Sequence, residues 1–183
     1  MASVFLSPST QEFNSYITGK NEEYYANLIA DAMIPYLKAS GISYGRNDPS
    51  GTVSTSIALS NQGNYDLHLA IHSNAAPPNL SGLIRGSDVY YYRDSTKGKQ
   101  AAEIFANNLK LIYPNPSLVN AVPTTTLIEL KRTRAVAVLV EVAYHDNVED
   151  ATWIINNIQN IARNLSLSVA DYLGVPFVEP SGF

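Results

Sequence analysis

Two rhythms of apolar residues alternate along the chain. Short, nearly continuous apolar runs read as strands: "SVFL" (3–6), "ISYGR" (42–46), "YDLHLAIH" (65–72), "SDVYYYR" (87–93), the β-prone "TTTLIEL" (124–130) and "AVAVLVEVAY" (135–144). The last is the most hydrophobic and reads as a central strand buried on both faces. Between them, apolar residues recur at steps of three and four, the spacing of one helix face. Over 22–41 that face is Tyr25, Leu28, Ile29, Ala32, Met33 and Leu37, with Pro35 expected to kink the helix and Gly41 to end it. A weaker helix is predicted over 52–63. A clear one spans 95–113, built on Ala102, Phe105, Leu109 and Ile112. The final helix follows Asn147, a capping residue, with Glu149 and Asp150 at its positive end. Its inward stripe is Ala151, Ile155, Ile158, Ala162, Leu165 and Val169, and Gly174-Val175-Pro176 stops it.

Strands alternating with helices predict an α/β fold: one domain, with a mostly parallel twisted sheet of about six strands flanked by helices on both faces. A single core is comfortable at 183 residues. Residues 1–175 are expected to form the domain, and 176–183 a C-terminal tail or truncated linker. In this class, sites form beyond the carboxyl ends of the strands.

Composition narrows the chemistry. With a formal net charge of −4 and no basic block denser than "KRTR" (131–134), the chain lacks the footprint of a nucleic-acid binder. There is no cysteine, so a metal would have to be held by His, Asp, Glu or neutral oxygens. No run is long enough to span a membrane, and "MASVFLSPSTQ" is not a signal peptide. Synthesis in the cytoplasm without export is the expectation. Twelve tyrosines are a weak pointer to a polar polymer ligand.

Few polar groups stand at the strand ends. Two of the three histidines, His68 and His72, lie in "DLHLAIHSNAA". Four strand residues span about 13 Å, so a straight strand cannot bring both to one metal ion. His68 is expected to be a hydrogen-bonded core residue. Glu141 lies in "VLVEVAY", where an ionised carboxylate is expensive unless paired or metal-bound. A structural ion pair is the plainer alternative for it. His145 follows four residues later in a turn, where a surface or hydrogen-bonded role is the ordinary one. Glu22 and Glu23 open the first long helix, and acids there complement the helix dipole in any case. Glu141 and His72 at neighbouring strand ends, with His145 near them, are compatible with a small zinc hydrolase.

Three stretches together resemble the zinc-dependent N-acetylmuramoyl-L-alanine amidases of type 3, the catalytic domains of endolysins and autolysins. "LHLAIHSNAA" is similar to the family strand that ends in a metal-ligand histidine. "AVAVLVEVAYHDNVED" is similar to the final strand with the catalytic glutamate. "NEEYYANLIADAMIPYLKASGISYGRND" is similar to the first helix, which begins with a ligand glutamate. The resemblance runs from about residue 3 to 173 and implies zinc ligands at His72 and Glu23, with Glu23 favoured over Glu22 by its spacing to Asn27 and Leu28. It implies Glu141 as the general base in hydrolysis of the amide between N-acetylmuramic acid and L-alanine of the stem peptide. The partner implied is peptidoglycan, met after the protein's release as a phage-type lysin or during mother-cell lysis.

There is one departure from the family pattern. The family's first strand ends in Asp-Pro-Gly-His, whose histidine binds zinc, whereas this chain has Ser7-Pro8-Ser9-Thr10. Two expectations compete. Either His145 replaces the missing ligand, being an even step from Glu141 if the chain stays extended, or the domain is a degenerate peptidoglycan-binding module. The first is favoured, since Glu23, His72 and Glu141 are all present.

Overall fold

The computed structural model of the chain describes residues 1–181. A six-stranded sheet has the order β2-β1-β3-β6-β4-β5, formed by β1 (Ser3–Pro8), β2 (Ser43–Arg46), β3 (Leu67–Asn74), β4 (Ser87–Tyr92), β5 (Val119–Thr124) and β6 (Val136–Tyr144). All pairings are parallel except β4 with β6. The helices are α1 (Glu22–Ala39), α2 (Val53–Gln62), α3 (Thr96–Leu109), α4 (Ile128–Arg132), α5 (Val148–Asn156) and α6 (Ile158–Leu173). The expected α/β architecture is the observed one. No helix among the described residues is long and apolar enough to cross a membrane.

Strand alternation divides the sheet into unequal faces. Val4, Leu6, Leu67, Leu69, Ile71, Val138, Val140 and Val142 belong to the large core, together with α1, α3 and α6. On the other face a small apolar cluster, Ala70, Leu130, Ala137 and Leu139, lies under α4. His68, His72 and Glu141 alternate with the large-core residues and so share this thinner face. That face has little apolar mass, so polar side chains fill it and a cleft stays open.

Several sequence expectations shift. "TTTLIEL" is not a strand: β5 ends at Thr124 and α4 begins at Ile128. The apolar run is helical because Leu130 packs onto the small cluster. The final helix is broken at Asn157, with φ −125° and ψ 19°, into α5 and α6. The break rotates the stripe, so Ile154 and Ile161 are the fully buried isoleucines, while Ile155 and Ile158 are partly buried. Pro35 sits within α1 without ending it. After α6 the chain runs back along α1: Phe177 stacks on Tyr36, and Val178 N–H donates to Ser40 Oγ.

Candidate active site

Parallel pairing of β3 and β6 sets His72 and Glu141 in register as direct neighbours. The first turn of α1 brings the next group. Asn21 caps this helix, its side chain accepting from Tyr24 N–H. A helix side chain leans back over the turn before it, and here Glu22 leans onto His72, with Oε1 2.7 Å from Nδ1. Its other oxygen accepts from Asn14 Nδ2 at 2.6 Å. Glu23, the glutamate expected from sequence, is not brought to His72. One residue on, it is turned about 100° round the helix and accepts from Asn27 Nδ2 at 2.7 Å. Glu22 is 1% exposed.

The turn after β1 places a third group at Nδ1. Ser9 Oγ accepts from the Gln11 backbone N–H, the Gln11 amide nitrogen Nε2 lies 3.4 Å from His72 Nδ1, and the Gln11 amide oxygen accepts from Asn14 Nδ2 at 3.1 Å. Thr10 lines the cleft but makes no hydrogen bond to His72. Glu129, from α4, approaches from the far side of the ring. Its Oε2 is 3.8 Å from His72 Nε2, and its Oε1 accepts from Ser7 Oγ and His68 Nε2. His68 is buried and hydrogen-bonded, as expected. The two histidines share a carboxylate rather than a metal.

His145, expected to stand in for the missing ligand, is not brought to this group. The β3–β6 register shifts between His72 and Asn74, and Val142 and Ala143 both join the large core. Alternation therefore fails after Glu141, and the even step does not carry His145 to the cleft side. Its Nδ1 donates to the Ser73 carbonyl at 3.0 Å, and its ring stacks on Tyr16 with centroids 5.3 Å apart.

Charges are strongly coupled in this cluster. Burial disfavours the His72 cation, but the Glu129 and Glu22 carboxylates outweigh it and hold the imidazole at about 10. Burial raises Glu22, yet its bonds to His72 and Asn14 bring it below the usual carboxylate range. Glu129 is likewise held low, burial being overcome by the two histidines. Glu141 goes the other way: burial pushes it up to about 7 against the pull of His72. Its Oε2 is buried without a hydrogen-bond partner.

His72, Glu129 and Glu141 floor a cleft of about 470 Å³ between the end of β1, α2 and α4. Val53, Leu127 and Ile128 line its walls. Phe13, 80% exposed, stands beside them. The donors suit a divalent cation in kind: an imidazole nitrogen and a carboxylate meet, and the unpartnered Glu141 oxygen lies beside them. Among the described residues no three His, Asp or Glu side chains gather as a metal site.

Sequence analysis singled out neither Gln11 nor Glu129, and it ranked Glu22 behind Glu23. An acid between Ile128 and Leu130 in an otherwise apolar run is the signal that could have flagged Glu129.

Comparison with known proteins gives the family and the fold. Residues 10–171 match the Amidase_3 family, described as N-acetylmuramoyl-L-alanine amidase. No curated protein matches the chain in sequence. Among solved structures, an N-acetylmuramoyl-L-alanine amidase from Clostridium difficile 630 superposes with TM-score 0.81 at 18% identity, covering 94% of this chain and 97% of that one. The catalytic domain of CwlV, an N-acetylmuramoyl-L-alanine amidase from Bacillus (Paenibacillus) polymyxa var. colistinus, gives 0.80 at 20% identity, covering 96% and 100%. The catalytic domain of the CD27L endolysin, which targets Clostridia difficile, gives 0.76 at 22% identity, covering 93% and 98%. Matched over nearly its whole length, the chain belongs to the Amidase_3 family of N-acetylmuramoyl-L-alanine amidases.

Proposed function

We propose that this protein hydrolyses the amide joining the lactyl group of N-acetylmuramic acid to L-alanine of the peptidoglycan stem peptide. The observation that carries the reading is Glu141: a carboxylate with one buried, unpartnered oxygen, poised near neutrality beside the His72–Glu22 pair. A general base works best when its pKa lies near the operating pH. Family membership supplies the substrate class. The apolar walls of the cleft suit the methyl groups and sugar faces around the scissile bond.

Glu22 and His72 would hold a zinc ion. A bound zinc supplies polarisation of the amide carbonyl and a water of lowered pKa. Glu141 takes the proton from the attacking water and returns it to the leaving amine. Glu22 is kept in place by Asn14, and His72 by the carboxylates at its two nitrogens. The action is on the bacterial wall, as in an endolysin or autolysin.

The test is release of new L-alanine amino termini from purified peptidoglycan, with chelator and with zinc restored. Chelator-sensitive release supports the reading. Binding to the wall without release under any metal would make the chain a degenerate binding module, disabled at Thr10.

A further inference from the structure

The carboxylate of Glu129 is buried at 4% exposure in a short helix on the thin face of the sheet. A buried carboxylate is expensive unless every part of it is used. One oxygen is fully used: Oε1 accepts from His68 Nε2 at 2.9 Å and from Ser7 Oγ. His68 is fixed in turn, with Ser60 Oγ 2.9 Å from its Nδ1 and Phe5 stacked on its ring. Residues from β1, α2 and β3 therefore lock the Glu129 carboxylate in one orientation. The second oxygen, Oε2, is left facing His72 Nε2 at an ion-pair distance of 3.8 Å.

An imidazole has two nitrogens, and the partner of one decides what the other can do. Glu22 and Gln11 both stand at Nδ1 of His72. The two nitrogens point away from each other, so a single metal ion cannot be shared by both. Glu22 and Glu129, on opposite sides of the ring, therefore cannot both bind one ion through this histidine.

We propose that Glu129 is a positioning residue for His72. Held by Ser7 and His68, its carboxylate faces Nε2 as the charge partner of that nitrogen and leaves Nδ1 as the nitrogen that works with Glu22. This rests on the reading of Glu22 and His72 as the working pair of the amidase site. Glu129 makes the orientation of His72 depend on His68, four residues back on the same strand. That gives the core histidine a part in the site without contact with substrate.

The experiment compares full-length wild type with Glu129→Gln and Glu129→Asp by two readouts besides turnover. The first is zinc affinity by competition with a chromophoric chelator. The second is the nitrogen-15-edited proton signal of His72 Nε2–H in metal-free protein, assigned by its loss in His72→Gln. The expected result for Glu129→Gln is zinc binding about 10- to 100-fold weaker, with the Nε2–H signal lost to solvent exchange. Glu129→Asp is expected to recover part of both. An equally protected Nε2–H in Glu129→Gln, or zinc affinity within about twofold of wild type, overturns the proposal even if the melting temperature falls. If wild type binds no zinc, the Nε2–H signal decides alone. Wild type that shows the expected Nε2–H and zinc behaviour yet releases no L-alanine termini overturns the amidase reading and leaves the positioning role standing.

Discussion

His72 and Glu141 are register partners on adjacent parallel strands, β3 and β6, with side chains on the same thin face of the sheet. Backbone pairing alone therefore fixes the imidazole beside the carboxylate. The approach of α1 then adds Glu22, and α4 adds Glu129. The rigid part of the site is the strand pair, and the helices supply the groups that tune it.

Glu22, not Glu23, touches His72. Glu22→Gln is expected to weaken zinc binding at least about tenfold and to lower turnover in parallel, since a charged donor becomes neutral. Glu23→Gln should leave both near wild type. Zinc affinities and release rates for the two variants check this, and equal effects would contradict it.

His145 is a structural residue in this fold, bonded to Ser73 and stacked on Tyr16. His145→Ala should lower unfolding free energy by about 1–3 kcal/mol, the range for leaving a buried polar group unpaired. Its zinc affinity should be unchanged. Denaturant titration and chelator competition separate the two effects.

Both halves of the site respond to pH in the same direction. Glu141, raised to about 7 by burial, acts as a base only when ionised, so the rate should climb as pH rises through about 7 and fall below it. His72, held at about 10 in the metal-free cluster, must lose a proton before a metal can take its place. Zinc affinity should then strengthen about tenfold per pH unit from neutrality toward pH 10. A zinc affinity that is flat with pH would show that His72 is not the competing group.

Asp150 ties the carboxyl end of β6 to the start of β4. Fully buried, it accepts from Gly86 N–H, Tyr144 N–H, Tyr113 Oη and Arg85 Nε. Asp150→Asn keeps the shape but removes the charge opposite Arg85 and turns one acceptor into a donor. A loss of about 3–5 kcal/mol is expected. Thermal melts should show it with the catalytic pH profile unmoved.

The sheet and the long helices are legible because burial imposes a period on the sequence. β6 reads at once, as most of its residues are buried. The errors fall where period is ambiguous or local geometry intervenes. Seven residues of "TTTLIEL" cannot tell a short helix from a strand, and taking them as a strand hid Glu129. Choosing between Glu22 and Glu23 needs the entry angle of α1, which no spacing supplies. His145 was placed by an alternation that the register shift after His72 breaks. Thr10 was seen as a departure, but the Ser9 turn that carries Gln11 to His72 is a matter of backbone geometry.

The central claim is that Glu141, beside His72 and Glu22, is the base of a peptidoglycan amidase. Its most direct test is the release of L-alanine amino termini by wild type and by Glu141→Gln at matched wall binding. The account predicts release by wild type and a fall of at least about 10²-fold in the variant, with binding retained. Equal release by the two proteins would place the chemistry elsewhere and contradict the account.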